Sequence, residues 1–289
     1  MTTTLDTLDA KLDTREDLDR VYYETGIALD KNSFRADQDY HRGRLARALA
    51  FLSGAGTLSG LKVSWDQPTD EIKVSAGVAV DRVGRLVEIR QEACIRLPRW
   101  VQGWKTSELR FYTPAQATTI LGAPAAAGGV IADVYLRFAV CERGFTPAFA
   151  TGPFDGLDAV APWRLRDAYE LKLIARAEDT PPLPQSRWSP LKGATDPQRK
   201  QKLHDAIVDG HTAIDPTAPN PALPTDSRPD SKLYFDPNAV FLARVLVPAT
   251  ANANADLPPA RSNNPPLVAD GDRPFVYTTN ALAMLLWGI

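Results

Sequence analysis

Histidine is the side chain best suited to proton transfer near neutral pH and is a common metal ligand. The chain has three of them: His41, His204 and His211. His204 and His211 would share one helix face only if that helix continued through Gly210. No second histidine or cysteine stands near His41 at the spacing of a metal site. The histidines therefore predict no metal centre and no bound cofactor.

Pairs of carboxylates are a second source of chemistry, because two of them flanking a sugar bond can hydrolyse it. Asp19 with Glu24, and Asp167 with Glu170, are such pairs, but a chain with 35 acidic residues contains close pairs by chance. The sequence lacks the common nucleophile, nucleotide-binding and zinc-protease motifs. We therefore predict no catalytic residue and keep a polysaccharide hydrolase as the second alternative function.

Tryptophan side chains support the first alternative, a peripheral module that binds carbohydrate or a receptor, because indole rings can stack on sugars. The chain has six: Trp65, Trp100, Trp104, Trp163, Trp188 and Trp287. For each of them, packing in or beside the core is the commoner role of tryptophan and the one we expect.

Composition excludes several further classes. The 289 residues, 44% hydrophobic and 24% charged, are typical of a folded protein with a sizeable core. A net charge of -2 argues against a dedicated nucleic-acid-binding protein. The first residues do not resemble a secretory signal and no apolar run has transmembrane length, so we expect cytoplasmic synthesis without membrane insertion. Cys94 and Cys141 lie in strand-like runs, where we expect small buried thiols rather than a disulfide.

The first element predicted from the sequence is a helix from about Phe34 to Leu52. Asp30, Asn32 and Ser33 can each accept hydrogen bonds from its first turn, and glycines follow its end. One face of this helix carries residues at alternating steps of four and three: Phe34, Gln38, His41, Leu45, Ala48 and Leu52.

Two interpretations of this heptad pattern remain open. In one, the helix packs on its own sheet, and Gln38 and His41 lie at the wetter end of the contact. In the other, helices of several copies meet, and the same two side chains form polar layers that fix register and copy number. The residues that would carry self-association are Phe34, Gln38, His41, Leu45 and Leu52.

The remaining elements are mostly strands. A tight hairpin is predicted around Gly84, with Leu86 on its buried face, and VIADVYLRFAVCERG is typical of a central strand. A late helix is predicted to start at Asp196, with Leu203 and Ile207 facing the body. We predict an α+β, mainly β fold, in which an N-terminal helix is followed by antiparallel, hairpin-rich sheets.

The chain divides into five segments by composition. These are an N-terminal arm, 1–25; a helical segment, 26–57; a β-rich core, 58–179; a proline-rich insertion with one short helix, 180–231; and a C-terminal strand with an apolar docking tail, 232–289. A flexible linker is the alternative interpretation of the insertion. Leu285, Leu286 and Trp287 are the predicted docking residues, because an exposed apolar end is rare in a monomer.

The run GIALDKNSFRADQDYHRGRLARALAFLSGAGTLSGLKV, followed by VSAGVAVDRVGRLVEI, resembles bacterial proteins of phage-tail-like contractile injection systems. The resemblance covers mainly residues 22–97, with scattered support to about residue 247. It implies a structural, baseplate-peripheral or fibre-associated component without enzymatic activity. Its expected partners are other tail or baseplate proteins and other copies of itself, a trimer being one form the assembly could take. We expect assembly in the cytoplasm, within a particle that can later be released.

Overall fold

The fold is mainly β, with one long N-terminal helix, as predicted. The computed structural model describes residues 20–147, 160–183, 195–208, 238–279, 281, 282 and 284. In these ranges the α-helices are α1 (Lys31–Leu52), α2 (Leu97–Gln102), α3 (Pro114–Leu121) and α4 (Asp196–Val208). The strands are β1 (Gly56–Gly60), β2 (Val63–Asp66), β3 (Glu71–Val74), β4 (Gly77–Val80), β5 (Leu86–Ile89), β6 (Ala93–Arg96), β7 (Gly129–Pro147), β8 (Val160–Ala175), β9 (Val240–Thr250), β10 (Ala260–Arg261) and β11 (Leu267–Ala269).

Strands β1 to β6 form one antiparallel meander of three long strands, 56–66, 71–80 and 86–96, with a bend across its middle. The bend divides the meander into two three-stranded halves, β1–β4–β5 and β2–β3–β6, and each long strand contributes one segment to each half. The bend in the first strand falls at Gly60 and Leu61, which have φ values of 65° and 57°. These left-handed residues interrupt the strand, because extended pairing needs negative φ.

The second sheet has β7 at its centre, between β8 and β9, which confirms the predicted central strand. Strands β10 and β11 pair with the other edge of β9. Beyond Leu136 the pairing of β7 with β9 ends, and β7 and β8 continue as a two-stranded ribbon. The ribbon is exposed at 141–144 and 164–167.

The main hydrophobic core lies between the meander and the second sheet. Its fully buried members include Leu61, Ile72 and Val74 from the meander, with Leu136 and Leu242 from the second sheet. Because side chains alternate across a strand, each sheet offers one apolar face to this core. The core therefore holds the meander rigidly, and the meander in turn carries α1.

Five side chains lie where the sequence did not predict them. Leu86 is exposed and its neighbour Val87 is buried, because the register of β5 on β4 turns the odd-numbered residues inward. Cys94 and Cys141 are free and exposed, not buried. On α4, Leu203 and Ile207 are 37% and 58% exposed, because no described element covers that face of the helix.

Candidate functional site

Helix α1 begins at a local signal that the sequence displays. Asp30 is its N-cap and forms a capping box with Ser33, whose backbone N–H donates to Asp30 Oδ1 at 2.8 Å. The helix starts at Lys31, three residues before the predicted start at Phe34, because Asp30 rather than Asn32 or Ser33 is its N-cap. The hydrogen bonds from Ser33 lower the pKa of Asp30, since they stabilise the carboxylate.

One face of α1 packs on the turn between β4 and β5 through small residues. Ala46 and Ala50 are buried there. A Cβ placed on Gly84, which has a φ of 91°, would lie 1.7 Å from the main-chain oxygen of Ala46. Only glycine permits this approach, because any side chain would overlap the helix backbone. The turn is fixed by Asp81, whose Oδ1 accepts from Arg85 N at 2.8 Å.

The opposite face of α1 carries exposed side chains in the described part of the chain. Phe34, Leu45 and Leu52 are 55%, 59% and 86% exposed, and Gln38 and His41 are exposed beside them. We call these five residues the outer stripe. At about 100° per residue they lie across the helix from Ala46 and Ala50. The structure thus brings all five predicted self-association residues together on one surface and directs them away from the body.

The described contacts of the polar member His41 lie within its own helix. Its Nε2 atom lies 3.7 Å from Asp37 Oδ1, and its ring makes an edge contact with Tyr40 at 5.4 Å between centroids. The His41 side chain is 73% exposed. The interpretation in which Gln38 and His41 sit in a wet contact between α1 and its own sheet is therefore wrong: that contact is made by the alanine face.

More apolar surface lies just before α1, which the sequence did not reveal. Tyr22, Tyr23, Ile27 and Leu29 are 71%, 52%, 50% and 39% exposed. Burial and the neighbouring Asp37 carboxylate, which accepts a hydrogen bond from the Tyr23 hydroxyl, raise the pKa of Tyr23. This contact places the segment alongside the first half of α1 and enlarges the apolar area around the outer stripe.

The C-terminal segment begins beside β1. Thr57 N donates to Pro274 O, and Val276 N to Thr57 O, both at 2.9 Å. The buried Arg273 fixes this position by donating to the main-chain oxygens of Leu61 and Leu242, at 2.8 and 2.6 Å. Burial lowers the pKa of Arg273, because its charge loses solvation.

Apolar side chains continue outward from that anchor. Exposures of 44% to 64% are found at Phe275, Tyr277, Leu282 and Met284. The predicted docking residues Leu285, Leu286 and Trp287 lie outside the described residues, so they stay a prediction. The described part shows that the apolar character starts earlier, at Phe275, which bridges to Thr57 of β1, the strand that follows α1.

A second cluster of charges is buried in the larger sheet. Asp133 accepts from Arg244 Nε at 2.7 Å and Nη2 at 2.9 Å, and Arg176 Nη1 lies 3.5 Å away. Arg244 also donates to the main-chain oxygens of Pro181 and Pro182, at 2.9 and 3.0 Å. Burial raises the pKa of Asp133, against the opposing effect of the two guanidinium groups.

This cluster is structural. All its oxygen and nitrogen atoms face protein partners, and Asp133 has no exposed surface through which a substrate could reach it. Its geometry ties the start of the proline-rich insertion to β7 and β9. Sequence reasoning missed it, although Asp133 and Arg244 each interrupt a β-branched run, which signals a paired charge inside a sheet.

The histidines and acidic residues considered for chemistry form no common site among the described residues. Among the residues that the structure describes, no group of three or more histidine, cysteine or acidic side chains is placed to hold a metal ion. His204 is exposed on α4, while His211 and Asp19 lie outside the described residues. Glu170 forms an ion pair with Arg137 on the neighbouring strand.

The described tryptophans serve packing. Trp104 is buried against Trp100, with 6.0 Å between the ring centroids, and Trp100 Nε1 donates to Leu173 O at 2.8 Å. Trp65 packs beside the core and donates to Asp70 at 3.0 Å. Of these three rings, Trp104 is buried, and Trp65 and Trp100 are partly buried against the core. The side chains of Trp163, Trp188 and Trp287 are outside the description.

In the described part of the chain, no helix combines the length and the apolar character needed to span a bilayer. No protein-family profile matches the chain, and no curated protein shows significant similarity to it.

Proposed function

We propose that this protein is a structural subunit of a phage-tail-like contractile injection particle, with no reaction of its own, which attaches in the baseplate or fibre region. Two surfaces serve the assembly. The outer stripe of α1 joins copies of the chain, and the C-terminal segment, including Leu285, Leu286 and Trp287, docks on another particle protein. The particle itself is inferred from the sequence resemblance of residues 22–97.

The observation that carries this proposal is the outward direction of the stripe. α1 is held to the body by its alanine face, so its large apolar residues are left to solvent. Apolar residues repeating along the free side of an anchored helix are unfavourable in a monomer and favourable in an assembly, because association removes their surface from water. The exposed tyrosines before α1 and the aromatic residues after Arg273 are further apolar surface that association could cover.

No comparable observation supports either of the two alternative functions. A carbohydrate- or receptor-binding module would be supported by exposed indole rings, and the three described rings are packed. A polysaccharide hydrolase would be supported by two carboxylates facing a cleft, but Glu170 is engaged by Arg137.

The test is incorporation into particles. Cells that produce the complete particle would express the tagged chain, its Leu45→Asp variant or a matched Leu257→Asp variant, and sedimented particles would be probed for the tag. Leu257 is 48% exposed in the loop between β9 and β10, far from α1 in sequence, so its change controls for surface charge alone.

We expect the parent chain and Leu257→Asp to sediment with the particles. Leu45→Asp should remain in the soluble fraction, because a carboxylate buried without a partner opposes association. Equal sedimentation of all three chains would refute the role of the stripe. Absence of the parent chain from purified particles would refute the particle assignment.

A further inference from the structure

The outer stripe fixes the heptad position of every other residue of α1. The inner positions are filled by Gln38, Leu45 and Leu52 at a, and by Phe34, His41 and Ala48 at d. The flanking positions follow from these: Asp30, Asp37 and Arg44 at g, and Arg35, Arg42 and Leu49 at e. In paired helices, side chains at e and g meet across the contact and determine orientation.

Charges at the flanking positions match in a parallel pair. There, each g residue lies beside the e residue that comes five positions later on the neighbouring helix. This places Asp30 opposite Arg35, and Asp37 opposite Arg42, in both directions across the contact. Arg35 and Arg42 are exposed, and the Asp37 side chain is 31% exposed at the edge of the stripe. Both pairs therefore join opposite charges.

The same charges clash in an antiparallel pair. The arrangement that overlays the whole stripe is centred at residue 43, so Arg42 of each helix lies level with Arg44 of the other and four arginines gather at the midpoint. It also sets Gln38 against Ala48, which leaves the amide facing a methyl group. In the parallel arrangement, Gln38 meets Gln38 and His41 meets His41, so each polar layer pairs with itself.

We infer that copies of this chain associate through α1 helices that are parallel and in register, with Asp30–Arg35 and Asp37–Arg42 ion pairs between neighbours. This inference rests on the self-association proposed above and specifies its partner, a second copy of the chain, and its orientation. The anchored alanine face is compatible with it, because each body lies on the side of α1 away from the common axis.

Disulfide trapping tests the orientation. In a full-length chain with Cys94→Ser and Cys141→Ser, single cysteines would be introduced by Gln38→Cys or Ala48→Cys, and each variant would be exposed to oxidised glutathione. The two native cysteines are free and exposed, so their replacement removes competing thiols at little cost in stability. Light scattering before oxidation reports whether the variants self-associate at all.

Parallel, in-register helices bring position 38 to 38 and position 48 to 48, so each variant should form covalent dimers by itself. An oligomer in which neither variant links to itself, but an equal mixture forms 38-to-48 dimers, would overturn the orientation and leave self-association intact. A monomer at all concentrations would overturn the self-association as well. The two failures are therefore distinguishable.

Charge exchange tests the ion pairs. Asp37→Arg should raise the dissociation constant of the assembly by roughly three- to tenfold, because it sets like charges side by side. Adding Arg42→Asp to the same chain should restore the constant to within about twofold. Asp272→Arg, the same charge change in an exposed turn, is the control and should have no such effect. A double variant that associates no better than Asp37→Arg would rule out the Asp37–Arg42 pair.

Discussion

Individual side chains define where α1 starts and which face it exposes. The Asp30 carboxylate satisfies first-turn N–H groups that would otherwise lack partners. The outer stripe is then determined by spacing alone, and the packing of Ala46 and Ala50 decides which side of the helix remains open. The direction of the outer stripe therefore depends on small residues on the inner face of the helix.

The Asp30 cap predicts a pH dependence of α1. Its pKa is lower in the folded chain than in the unfolded chain, so its stabilising effect is complete above the unfolded value of about 3.9 and is lost as the pH falls through the folded value. We expect α1 amide protection, measured by hydrogen exchange, to fall as acid is added. Asp30→Asn should keep the cap and lose this dependence, because asparagine caps without titrating. An unchanged acid response in Asp30→Asn would contradict the assignment.

At the scale of elements, the central relation is the contact of α1 with the β4–β5 turn. Gly84 lies against the helix backbone, and Asp81 accepts hydrogen bonds from the turn that holds Gly84 in place. This contact orients the outer stripe relative to the core. The ion pair of Asp133 with Arg244 does a similar task for the residues that lead into the proline-rich insertion.

Gly84→Ala tests that contact. The new methyl group would overlap the main-chain oxygen of Ala46 at a backbone angle that alanine disfavours, so we expect a loss of at least about 2 kcal/mol in the free energy of unfolding. Gly271→Ala is the matched control, since no atom lies within 4 Å of its Cβ position. It should change stability by less than about 0.5 kcal/mol in urea titrations. Equal stability of the two variants would show that α1 does not pack on this turn.

Local signals made the helix, the hairpin and the central strand predictable from sequence. Each depends on neighbours in the chain: a cap, a glycine with positive φ, or a β-branched run. The break at Leu61 and the exposure of Leu86 were not predictable, because they depend on which strand pairs with which. The Asp133–Arg244 pair joins residues 111 positions apart, and single-sequence patterns do not encode such distant contacts.

At the scale of the whole molecule, a buried core lies beside segments with exposed apolar side chains. The core between the two sheets is closed by fully buried side chains. Among the described residues, exposed apolar side chains include those of the outer stripe, of the segment before α1 and of the segment after Arg273, where Phe275 pairs with Thr57 of β1. In the proposed assembly, neighbouring subunits would cover these segments.

Sedimentation velocity of the purified full chain over a range of concentrations tests this most directly, with Leu45→Asp and Leu257→Asp alongside it. We predict that the parent chain and Leu257→Asp sediment as a defined oligomer. Leu45→Asp should sediment as one 289-residue chain, with a dissociation constant raised about a hundredfold or more. A parent chain that remains monomeric at every concentration, or an oligomer that Leu45→Asp leaves unchanged, would contradict the role of the outer stripe.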